Sequence, residues 1–140
     1  MNDFVAKFVL VEKDISEERG GFSFFAVLLR EDAPNVWDVV ISAPWLPKDK
    51  KSSLHYIVKK MRARLHLRDI MKISRVVLLR PDEPSLREIY RQFNFEHECR
   101  EIRNEVLFGM EMKRGYIITS KRKASSGSNH SRRAALACAS

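Results

Sequence analysis

The chain has 140 residues and carries 26 Lys and Arg against 18 Asp and Glu, a net charge of +8. That length fits one domain able to bury roughly two-thirds of its unfolded surface, and no run of about 18 apolar residues is present to span a bilayer. Met1-Asn2-Asp3 opens the chain with no basic segment ahead of an apolar one, and Cys99 and Cys138 stand far apart. A cytoplasmic location, reduced thiols and no membrane partner are therefore expected.

In chain order, Phe4–Val11 reads as a first strand, with Val5, Val9 and Val11 on one parity and Phe4, Phe8 and Leu10 on the other. The charged stretch Glu12–Arg19 follows and ends at Gly20-Gly21, a pair suited to a turn with positive φ. Phe22–Leu29 is the second strand. Arg30–Asn35 has turn chemistry, and Val36–Ser42 is a third strand antiparallel to the second. Ala43-Pro44-Trp45-Leu46-Pro47 then interrupts the sheet, because its prolines remove ladder donors.

The stretch from Pro47 to Leu79 is the expected organising element. A charged loop, Pro47 to Lys51, leads to Ser52 or Ser53 as helix cap and to a helix from about Ser53 to Leu67. Leu54, Ile57, Val58, Met61 and Leu65 gather on a stripe roughly 100° wide. Arg75–Leu79, with its continuous Val76-Val77-Leu78-Leu79 run, predicts a strand covered on both faces. Asp82 or Glu83 before Pro84 suits the start of a second helix carrying Leu86, Ile89, Tyr90 and Phe93 and stopping near Asn94. Glu96–Glu105 shows no period. Val106–Met112, a turn at Lys113-Arg114-Gly115, and Tyr116–Ser120 make a closing hairpin. Residues 121–140 have the composition of a disordered basic tail. The sum is one α+β domain over residues 1–120: a mixed, mostly antiparallel sheet of about six strands with two packed helices, in the order βββαβαββ. Leu54, Ile57, Met61, Leu65, Val76, Val77, Leu78, Leu86, Ile89 and Phe93 are expected in one core.

Charge is unevenly distributed: residues 1–45 carry −4, 46–80 carry +9, 81–110 carry −3 and 111–140 carry +6. His55, Lys59, Arg62 and His66 lie at i, i+4, i+7 and i+11, within about 60° of one another on a helical wheel and next to the apolar stripe. Lys48, Lys50 and Lys51 precede them near the helix N-terminus, where the dipole also favours anions, and Trp45 stands beside this cluster as a stacking candidate or as a cap on the core. These eight residues form the expected polyanion site. The expected function is a small non-enzymatic binding protein, with RNA or DNA ahead of an acidic protein as the partner. A protein-interaction or inhibitor module using the sheet surface is the alternative.

Pro81-Asp82 followed by Glu111-Met112-Lys113 resembles the Pro-Asp…Glu-x-Lys pattern of metal-dependent nucleases, which implies two carboxylates on Mg²⁺ and a lysine at the attacked phosphate. In that family the two parts lie on neighbouring strands, whereas here a helix intervenes. A nuclease is therefore the third reading. His55 and His66 stand about three turns apart, too far to share an ion, and His97-Glu98-Cys99 has no second ligand pair. Gly20-Gly21 lacks the lysine and further glycines of a phosphate loop. The sequence implies no catalytic residue, metal site or cofactor.

Overall fold

The computed structural model describes residues 3–46 and 49–122. Asp3–Arg19 forms a helix, α1, which buries Phe4, Val5, Phe8, Val11, Glu12 and Ile15. Those positions fall at i, i+1, i+4, i+7, i+8 and i+11, the helical period. This overturns the strand expected at Phe4–Val11: parity looks strand-like over so short a window, and the helix emerges only when the charged Glu12–Arg19 stretch is read with it. Gly20 ends α1 at φ +110°, its N–H donating to Ser16 O at 2.9 Å, a left-handed cap that suits glycine.

Phe24–Arg30 (β1) and Trp37–Ser42 (β2) pair antiparallel, with Phe24 opposite Ser42 and Leu28 opposite Asp38. Then come α2 (Lys50–Arg64), α3 (Leu67–Ile70), β3 (Ile73–Leu79), α4 (Pro84–Gln92), β4 (Arg100–Leu107) and β5 (Met110–Ser120). β3 runs parallel to β2, and β5 is antiparallel to both β1 and β4, giving the order β3-β2-β1-β5-β4. The fold is α+β with a mixed, mostly antiparallel sheet. It has five strands and four helices among the described residues, because the first expected strand is α1 and the expected long helix ends early, leaving α3 as a separate turn.

The centre of the sheet is β1, not β3. Phe25 and Val27 face a layer made with α1 and α2, while Phe24, Ala26 and Leu28 face a second layer made with α4 and the β4–β5 hairpin. β3 lies at an edge and is half-buried, its run divided between the layers: Val76 and Leu78 on the first, Val77 and Leu79 on the second. The ten residues expected in one core are thus split by the sheet, and Leu54 is 39% exposed. An uninterrupted apolar run fits an edge strand here because helices cover both faces of the sheet beside it.

The hairpin turns at Phe108 and Gly109, both at positive φ (56° and 72°), as a two-residue turn matched to strand twist requires. Phe108 is held there edge-on to Phe24, with ring centroids 5.9 Å apart. The turn expected at Lys113-Arg114-Gly115 is instead mid-strand. A Cβ on Gly115 would stand 2.7 Å from Leu28 Cδ2 and 3.1 Å from Ile102 Cγ1, so this glycine serves close approach within the sheet. The tail expected from Lys121 lies outside the described residues from position 123 onward. Lys121 itself is tied in, its N–H donating to Ser23 O at 2.8 Å. No described helix is long and apolar enough to cross a membrane.

Phe8→Ala in α1 should cost about 3–5 kcal/mol in a urea melt, and Leu78→Ala on the half-buried edge strand clearly less. A loss below about 0.5 kcal/mol for Phe8→Ala would mean that α1 is not part of the core.

Candidate functional site

α2 is capped by Asp49, whose carboxylate accepts from Lys51 N at 3.0 Å and from Ser52 Oγ at 2.8 Å. The Ser52 hydroxyl and these backbone donors hold the carboxyl below its usual range. The cap therefore precedes the two serines expected to supply it, and the helix starts earlier and ends at Arg64 rather than near Leu67. From there α2 divides into faces. Ser53, Ile57 and Met61 are buried against the sheet. Tyr56, Lys60 and Arg64, one turn apart, meet α1: Arg64 grips Asp14 through Nε and a terminal nitrogen at 2.8 and 3.0 Å, Tyr56 donates to Glu18 at 2.8 Å, and Lys60 pairs with Glu18. The Arg64 guanidinium lowers the Asp14 carboxyl, and Lys60 together with Tyr56 lowers Glu18. The charge of this flank is neutralised within the fold.

The outer face carries the residues expected to meet a polyanion. Lys51, His55, Lys59 and Arg62 are all exposed and lie roughly 120–160° around the helix from Ile57, at about 100° per residue. The stripe is therefore opposite the buried face, not beside it. α1 claims the Tyr56 flank and rotates the buried face away from Leu54 and Val58. None of Lys51, Lys59 and Arg62 has a carboxylate partner among the described residues. His66 is exposed but leaves the stripe, because it caps α3: its carbonyl accepts from Asp69 N at 3.0 Å and Ile70 N at 3.1 Å. Lys48 and the Lys50 side chain lie outside the described residues. Trp45 is on the opposite flank, half-buried, with its indole N–H on Gly21 O at 3.1 Å and its ring edge-on to Phe22 and Tyr56 at 5.4 and 6.2 Å. It closes the core at the α1–β1 connection and stands apart from the stripe.

Rotation of α2 also leaves an apolar groove of about 410 Å³ against edge strand β3, lined by Leu54, Val58, Met61, Ile70, Ile73 and Val76, with Arg62 and Arg75 at its rim. Arg75 is paired with buried Asp38 at 3.1 Å. On the other face of the sheet, a cleft of about 430 Å³ opens between α4 and the end of β5, lined by Arg87, Tyr90, Arg91, Asn94, Lys121 and Arg122. Among the described residues, basic side chains thus gather on two separate surfaces, one on each side of the sheet.

A buried polar knot that sequence reading missed joins α1 to the far end of the chain. Glu12, 1% exposed, accepts from Thr119 Oγ1 at 2.9 Å and Ser16 Oγ at 3.2 Å, and its other oxygen meets His97 Nδ1 at 2.9 Å. His97 sits at φ +54° with its N–H on Thr119 Oγ1 at 3.1 Å. Both hydroxyls donate to the same carboxylate, so neither is activated by the imidazole, and the knot fixes the 95–99 segment. Its partners are 85 and 107 residues apart in sequence, beyond any local motif. Burial pushes the half-buried Cys99 thiol up, away from reactivity.

The two halves of the nuclease-like pattern lie on separate elements that are not neighbours in the sheet. Asp82 follows the end of β3 and pairs with Arg80 at 3.3 Å, while Glu111 is near the start of β5, three strands away in a sheet where β3 and β5 point the same way. Both side chains are exposed, and the neighbouring Glu83 shares a cleft with Met110 and Met112 on either side of Glu111. Among the described residues no three His, Cys, Asp or Glu side chains are grouped to hold a metal ion. No protein-family model, curated protein or solved structure matches the chain.

α3 is fixed beside the stripe by Asp69, 5% exposed, which accepts from Lys7 Nζ at 2.7 Å and His66 N at 3.0 Å. The Lys7 ammonium holds its carboxyl below the usual range. A depressed folded-state pKa gives stability that is present above the unfolded value and lost as pH falls through the folded one. Wild type should therefore lose stability below about pH 4, and Asp69→Asn should be less stable at pH 7 with a shallower acid limb. Parallel acid limbs in urea melts across pH 2–7 would show that the Lys7–Asp69 pair contributes nothing.

Proposed function

We propose that the protein is a non-enzymatic binding protein that seats an anionic partner, nucleic acid before acidic protein, on the outer face of α2. One observation carries this reading: Lys60 and Arg64 are matched by carboxylates of α1, whereas Lys51, Lys59 and Arg62 face solvent without such partners among the described residues. Like charges held on one helical face repel each other, and a polyanion relieves that repulsion. From Lys51 to Arg62 the helix rises about 16 Å, which spans about five phosphates at 3.4 Å per nucleotide of a duplex strand. His55 lies within the row and adds charge when protonated. With Trp45 packed into the core, contacts are to phosphates, and affinity rather than base selectivity follows.

The apolar groove supports the alternative, a protein-interaction module. Leu54 and Val58 line it with Ile73 of β3, whose outer edge pairs with no strand among the described residues, and Leu67 at the start of α3 and Met71 just after it are each 74% exposed. An extended polypeptide can add to such an edge while placing alternate side chains in the groove.

Lys59→Glu with Arg62→Glu tests the choice, because both positions are solvent-facing and accept Glu in a helix. Folding should survive, and fluorescence anisotropy should show oligonucleotide binding by wild type that falls with a log–log salt slope of about −3 to −4 and is lost in the double variant. Equal affinities would remove α2 as the surface. Absence of oligonucleotide binding at low salt, with a partner still recovered after nuclease treatment, would favour the groove.

A further inference from the structure

The cleft between α4 and the end of β5 lies on the opposite side of the sheet from α2 and plays no part in the reading above. Arg87, Tyr90, Arg91 and Asn94 fall at i, i+3, i+4 and i+7, so one side of α4 and its C-terminal extension faces Lys121 and Arg122 across the opening. Arg91 rests on Glu88 at 3.2 Å and Lys121 on Glu96 at 3.5 Å. Arg87 and Arg122 have no ion-pair partner among the described residues. Two guanidinium charges, 35 positions apart in sequence, are thus brought to one concavity without an ion-pair partner among the described residues.

A second observation lies behind the wall of the cleft. The buried hydroxyls of Ser42 and Ser120 have no hydrogen-bond partner among the described residues, while the buried Tyr90 phenol is turned to Ser23. They gather at one end of the sheet, since Phe24 pairs with Ser42 on one side and Ser120 on the other, Ser23 precedes it, and Tyr90 lies beside Ser23. Buried hydroxyls left unmatched are uncommon. Tyr90 lines the cleft with its ring and keeps its phenol inside, beside Ser23.

We propose that this cleft binds a small phosphorylated molecule, its phosphate held by Arg87 and Arg122 with Arg91 and Asn94 as further donors and the Tyr90 ring as part of the wall. Two unpartnered guanidinium groups match the charge of a phosphate monoester dianion, and the planar forks of arginine suit its oxygens. A volume of about 430 Å³ falls within the range of small-ligand sites. Glu88 and Glu96 flank the opening and belong to the acidic block 81–110, so a polymer continuing past the cleft meets like charge, whereas a compact ligand does not. Nucleic acid belongs to the α2 face, and a single phosphate group to this one.

The test is isothermal titration calorimetry of the full chain at low salt with three probes: adenosine monophosphate, inorganic phosphate and a short single-stranded oligonucleotide. Adenosine monophosphate should bind, and Arg87→Ala and Arg122→Ala should each weaken it by roughly tenfold, the loss of one charge-assisted contact. Tyr90→Phe keeps the ring and removes only a buried hydroxyl, and should leave binding unchanged. Lys59→Glu with Arg62→Glu should leave it unchanged, which separates this site from the α2 face whether or not that face binds nucleic acid. Inorganic phosphate binding as tightly as the nucleotide would assign the recognition to the phosphate alone and support the site. No binding of either phosphate probe, binding of the oligonucleotide only, or equal affinity in wild type and a thermally intact Arg87→Ala/Arg122→Ala variant would each overturn the proposal.

Discussion

Phe24 to Leu28 in β1 send alternate side chains into two separate apolar layers, so the sheet must be covered on both sides. The first cover is α1 with α2, the second α4 with the β4–β5 hairpin. α1 and α2 cannot sit on the same face without meeting. Their shared flank is charged rather than apolar, and it is matched pair by pair through Asp14–Arg64 and Glu18–Lys60. Exposed pairs of this kind add little stability on their own. Their consequence is orientational: they fix the roll of α2 about its axis.

That roll decides which side chains are left for a partner. With Tyr56, Lys60 and Arg64 turned toward α1, the row Lys51, His55, Lys59 and Arg62 points outward, and Leu54 and Val58 are left over the open edge of β3. The basic row and the apolar groove are therefore products of the same packing choice. The cleft beside α4 has a different origin. Leu86 and Ile89 bury the inner side of α4, which leaves Arg87 and Arg91 on a flank facing the end of β5. The sheet stands between the two basic surfaces, so a ligand on one has no contact with the other.

Long-range polar links hold the covers in place. Glu12 binds α1 to Thr119 and His97, and Asp69 binds α3 to Lys7. Each is a buried carboxylate whose loss would leave donors without a partner, a larger penalty than the net gain from forming a typical hydrogen bond. Glu12 looks from sequence like the first charge of a solvent loop. Its burial comes from the helical period of α1, which places it one turn after Phe8 on the inner side.

Several features were legible from the residues alone. The α+β class, the β1–β2 meander with its turn at 30–35, the proline-broken corner, and α4 beginning at Pro84 all rest on signals a few residues long. Turn chemistry and Pro at the first helical position need no distant partner. The basic character of α2 is equally legible, as is the i, i+4 spacing of its outer cations. What only the tertiary structure decided is burial and orientation. α1 read as a strand because its apolar residues are dense over eight positions and its charged turns looked like a loop. Gly115 read as a turn until Leu28 and Ile102 showed why no side chain fits there, while the true turn placed a phenylalanine at positive φ against Phe24. Trp45 turned from ligand candidate to core cap because Phe22, Tyr56 and Gly21 supplied its partners. Sequence period specifies an amphipathic element to within its width, but the roll of that element, and hence which charges remain unmatched, is set by contacts between residues dozens of positions apart.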